Sequence, residues 1–78
     1  MLNTTPLTAL AQGQTGKVAT LTATGSMRRR LQDIGLIEGT QVSCVLQAPS
    51  GDPTAYAIRG AVIALRRGDA AHVLLAGV

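Results

Sequence analysis

Apolar residues alternate with polar ones over several short stretches of the chain and fall into a helical spacing only once. From Gly16 to Ala23 the run GKVATLTA is rich in Val, Thr and Leu and bounded by Gly16 and Gly25, which predicts a first strand. Met27, Leu31 and Ile34 then fall at i, i+4 and i+7, the spacing of one helix face, so Met27 to Ile34 is expected to be helical. Ser26 stands where an N-cap oxygen would meet the first amides. Gly35 suits the left-handed residue that closes a helix, with Leu36 after it placed to touch Leu31. Ile37 to Thr40 reads as a turn. From Gln41 to Gln47, Val42, Cys44 and Leu46 share one side, with Val45 as an exception, which predicts a half-buried strand. The segment APSGDP, residues 48 to 53, is dense in turn formers. Thr54 to Arg59 and Ala61 to Leu65 form two extended runs that meet at Arg59 and Gly60, where glycine supplies the positive φ of a tight hairpin. Arg66 to Ala70 allows one helical turn, and His72 to Ala76 a last strand.

These elements predict a mainly β fold: a small SH3-like five-stranded barrel with one short helix inserted after the first strand, its closure leaving no free edge. Residues 1 to 15 carry Pro6, Leu7 and Leu10 among Thr, Gln and Gly. They are expected to be a loosely ordered lead-in with one helical turn around Leu7 to Ala11. With 78 residues, one domain spanning residues 1 to 78 is expected, since so short a chain builds a single core.

Composition narrows the picture. Tyr56 is the sole aromatic and the 46% apolar content comes from Leu, Val, Ile and Ala, so the core should be aliphatic and thin. No apolar run approaches the ~20 residues that span a bilayer. Residues 1 to 10 lack the basic start and cleavage pattern of a secretory signal, and a single cysteine cannot make an internal disulfide, so a cytoplasmic location is expected.

Candidate chemistry is sparse. One His, one Cys and four scattered carboxylates show no metal-ligand spacing, so neither a metal site nor a cofactor is expected. Cys44 reads as a small buried hydrophobe and His72 as a surface residue, which leaves no nucleophile and base pair. Asp33, Glu38, Asp52 and Asp69 fall at a helix end or in turns, where Asp satisfies local amides. The glycines form no phosphate-binding loop. The chain is therefore expected to be non-catalytic.

Net charge is +3, with arginines clustered at Arg28, Arg29, Arg30 and at Arg66, Arg67. The first cluster should occupy the opening turn of the helix, where the macrodipole favours negative charge, so it costs stability unless it meets an acidic partner. A nucleic-acid or ribosome-associated barrel is the rival reading of this charge. One tyrosine cannot build the aromatic platform that single strands stack on.

The stretch RRLQDIGLIEGTQV followed by APSGDPTAYAIRGAVIALRRGDAAHVLL resembles the ferrous iron transport protein A (FeoA) family. Arg30, Leu31, Ile34, Gly35, Leu36 and Gly39 match the family's helix and exit. Gly51, Asp52, Pro53, Arg59, Gly60, Ala64, Leu65 and Arg66 match a second block, and Asp69 and Ala70 a third. Glu38, Ala61 and Gly68 depart from the pattern. The resemblance implies a small cytosolic accessory protein of ferrous iron uptake, without catalytic activity. Its expected partner is the FeoB-like membrane transporter, whose cytosolic portion contains a GTP-binding domain. Arg28, Arg29, Arg30 and Leu36, around the helix and its exit, are the residues expected to meet that partner. The resemblance also implies that the same SH3-like domain recurs at the C-terminus of some iron-dependent repressors.

Overall fold

The computed structural model describes residues 4 to 76; the expectations for residues 1 to 3 lie outside the described residues. Six strands form one antiparallel sheet in the order β1-β6-β2-β3-β4-β5: β1 Thr4–Pro6, β2 Thr15–Leu21, β3 Gln41–Gln47, β4 Thr54–Ile58, β5 Ala61–Leu65 and β6 Val73–Ala76. Helix α1, Gly25–Asp33, connects β2 to β3, and the single turn α2, Arg67–Ala70, precedes β6.

The barrel expected from the sequence is not closed, because the sheet ends at β1 and β5 and no ladder joins these two among the described residues. The lead-in keeps its expected helical turn near Leu7 but is tied to the sheet and core rather than loose. Thr4–Pro6 pairs with β6, Leu7–Ala9 forms a 3-10 turn, and Leu7 and Leu10 are fully buried. Tyr56 fastens this segment from inside, its hydroxyl donating to the Leu7 carbonyl at 3.5 Å. A phenol buried in an aliphatic core needs a partner for its O–H, and the lead-in supplies it.

The core gathers Leu7, Leu10, Val18, Leu31, Leu36, Val42, Ile58, Val73 and Leu75 with the smaller residues between them. β4 alternates cleanly: Thr54, Tyr56 and Ile58 point in, Ala55 and Ala57 out. β3 does not keep its alternation. The register slips between Cys44 and Leu46 against β4, so Val45 is an extra residue and Leu46 leaves the core, 58% exposed. The β4–β5 hairpin turns on Arg59 and Gly60, with φ of 52° and 84°. Two successive positive φ values define the turn whose twist matches the strands, and Arg59 adopts one of them without being glycine.

Candidate partner-binding face

The exit of α1 follows the predicted pattern bond by bond. Gly35 at φ 105° donates its N–H to the Gln32 carbonyl at 2.9 Å, and the Leu36 N–H reaches back to the Leu31 carbonyl at 3.0 Å. This is the Schellman close, with Leu31 and Leu36 meeting in the core. The entry differs. The helix begins at Gly25, not after Ser26, and its N-cap Thr24 makes no side-chain capping bond. Arg29 and Arg30 therefore lie beyond the first turn, and Arg30 falls in the last one, where positive charge is favoured.

The three arginines have different surroundings. Arg28 donates to the Leu21 carbonyl at 3.2 Å, tying the helix to the end of β2. Arg30 pairs with Asp69 of α2 at 3.0 Å, an exposed contact worth roughly 0–1 kcal/mol that links the two helices. The Arg29 side chain is exposed, and its guanidinium makes no hydrogen bond or ion pair among the described residues. Leu36, expected to meet a partner, is fully buried and packs the core instead. The residue beside it, Ile37, is 46% exposed. A groove of about 230 Å³ lies between β2 and α1, with Arg28 and Gln32 on the helix side and Ile37 and Glu38 at the exit. The signal for Ile37 was in the sequence: once the Schellman close points Leu36 inward, the next apolar residue has no core position to take.

Several other polar groups are engaged in structural bonds. His72 shares a hydrogen bond with the Thr22 hydroxyl at 3.0 Å through Nδ1. Asp52 accepts the Arg67 N–H at 2.9 Å. Cys44 is buried, and burial pushes its thiol pKa up. No group of three His, Cys, Asp or Glu is gathered where it could hold a metal ion among the described residues. No helix among them is long and apolar enough to cross a membrane.

The sheet order and the helix between β2 and β3 define a small SH3-like β domain. Residues 5 to 76 match the model of the FeoA domain, so the chain belongs to the FeoA family, whose domains are accessory to transport. A FeoA-like protein from Clostridium acetobutylicum is 29% identical with a TM-score of 0.88, over 96% of this chain and 87% of that one. FeoA of Stenotrophomonas maltophilia, solved with zinc, is 25% identical with a TM-score of 0.82, over 91% of this chain and 88% of that one. It is described as an SH3 domain protein and a candidate ferrous iron transport activating factor. A manganese-dependent transcriptional repressor shares the fold at 22% identity and a TM-score of 0.87, over all of this chain and 44% of that one. No curated protein matches the sequence.

Proposed function

We propose that this protein is a cytoplasmic accessory of ferrous iron uptake that docks on the cytosolic part of a membrane ferrous iron transporter and modulates it. The FeoA match over residues 5 to 76 carries this reading. The outward face of α1 supplies the contact: Arg29 presents a guanidinium with no internal partner, Arg28 stands beside the groove, and Ile37 offers exposed apolar surface at its end. An acidic surface on the transporter's GTP-binding portion would complement it, mainly by speeding encounter. The nucleic-acid alternative finds little support, since Tyr56 is buried and offers no base a stacking surface.

The test is capture of the transporter's purified cytosolic domain by the protein and by its Arg29→Glu variant, at low and high salt. Arg29→Glu touches no internal bond, so the variant should unfold at the wild-type midpoint, yet retain less partner at low salt. The deficit should shrink at high salt as screening removes the electrostatic contribution. Equal retention of the two proteins at low salt would reduce the helix face to a solvated surface.

A further inference from the structure

Among the described residues, β5 ends the sheet and has a hydrogen-bonded neighbour, β4, on one side only. Sheet edges usually carry something that blocks a further strand, such as a lysine, a proline or a bulge. β5 carries none of these. Its residues are Ala61, Val62, Ile63, Ala64 and Leu65, and its register with β4 runs without a slip. Ile58 and Ala61 flank the two-residue turn and so form a hydrogen-bonded pair. By alternation Ala61, Ile63 and Leu65 direct their backbone groups to β4, while Val62 and Ala64 direct theirs away from the sheet. Val62 is 66% exposed, and Ala64 is exposed too.

The sheet surface beside this edge is apolar as well. Val62 stands opposite Ala57 and Ala64 opposite Ala55, and Ala55 in turn faces Leu46, the residue that the β3 bulge turns outward. Both ends of the strand are basic. Arg59 precedes it, held at a positive φ that Asn or Gly would adopt at less cost, and Arg66 and Arg67 follow it. None of these three guanidiniums has a carboxylate partner among the described residues. Asp52, close by, accepts the backbone N–H of Arg67.

We propose that the β5 edge is a docking site for an extended apolar segment of another protein, flanked by acidic residues at both ends, which joins the sheet as a further strand. Main-chain bonds to Val62 and Ala64 would give affinity, and the flanking arginines would select the charge of the segment. A second copy of this chain does not fit that description. The antiparallel register that overlaps all of β5 sets Arg59 opposite Arg67 of the other copy at both ends, and like charges directly opposite destabilise a pair. The site lies on a different element from the helix face and does not depend on the transporter reading.

The test uses the full chain and an end-blocked, fluorescein-labelled peptide with a Val-Thr-Val-Thr-Val core and two Glu at each end, against the same core with Lys ends. The Glu peptide should bind saturably, about tenfold more tightly than the Lys peptide at low salt, a ratio two favourable end contacts can supply. The largest amide shifts in its NMR titration should be those of Val62 and Ala64. Methylating alternate backbone nitrogens of the peptide, which keeps its charge and side chains, should abolish binding. Val62→Pro removes an outward N–H and no bond to β4, so it should weaken binding of the Glu peptide while circular dichroism stays unchanged. If that variant does not fold, the methylated peptide decides. Absence of saturable binding, equal affinity for Glu and Lys peptides, or undiminished binding of the methylated peptide would each overturn the proposal. So would a dimer in sedimentation that protects the Val62 and Ala64 amides from exchange.

Discussion

Gly35 is held in place twice over, by its own backbone and by a neighbour. Its φ of 105° lies where a side chain is strained, and a Cβ added there would come within 2.5 Å of the Arg59 Cδ and 3.4 Å of the Ile58 Cγ2. Arg59 can swing aside, but the backbone cannot relax without undoing the bonds at the helix exit. Gly35→Val should therefore cost about 1–3 kcal/mol, read as a lower urea midpoint, and an unchanged midpoint would mean the exit is built some other way. Cys44 and Tyr56 set the response to alkali. Burial raises the thiol above its ordinary 9.0. Burial, and then the nearby Cys44, raise the Tyr56 phenol, with Thr54 and Arg67 opposing part of that rise. Both acids ionise sooner in the unfolded chain than in the folded one, so their contribution is complete below the ordinary thiol pKa and is lost as pH climbs past it. Unfolding midpoints across the alkaline range should fall from about that point, and Cys44→Ala should remove the first part of the fall. Gly35 was legible in the sequence because its signature is local: a periodic apolar face, a glycine and a leucine in order. Burial of Leu36 follows from that same motif, although the residue was also expected to meet a partner, and the packing requirement prevails.

Among the elements, the lead-in shows where sequence pattern lacks reach. β1 is three residues long and contains Pro6, and its partner Ala76 lies at the other end of the described chain, so nothing near Thr4 announces a strand. Its 3-10 turn nevertheless puts Leu7 at the centre of the core. Leu7→Ala should cost about 2–5 kcal/mol. That is a large share of the roughly 5–15 kcal/mol typical of a folded domain. A calorimetric midpoint within experimental error of wild type would restore the loose lead-in that composition suggested. The β3 bulge was hidden for another reason. Val45 and Leu46 are both apolar, so the sequence does not announce that both leave the core, which follows from the slipped register against β4. By contrast the boundaries of β3 and β5 matched their expected residues, because turn formers punctuate both.

For the molecule as a whole, the family and the ligand inventory point in different directions, toward an iron pathway and away from an iron site. The few candidate ligands are dispersed over separate elements, with Cys44 in the core, His72 held by Thr22, and Asp69 paired with Arg30. Anaerobic titration calorimetry with ferrous iron should accordingly show no stoichiometric, submicromolar binding. A tight site of unit stoichiometry would show that these groups can be drawn together. The basic helix face and the β5 edge are the two surfaces through which we propose that the domain acts, by contact with other proteins. The clasp of β1 against β6 has a topological consequence. Thr4 and Ala76 are ladder partners, so the two ends of the described chain lie about 5 Å apart and the fold is nearly a ring. Joining those ends through a short glycine linker and cutting the chain between Ser50 and Gly51, in the turn that follows β3, would give a circular permutant with every strand intact. Native-like circular dichroism and cooperative melting of that permutant would establish that the order in which the strands are synthesised is dispensable.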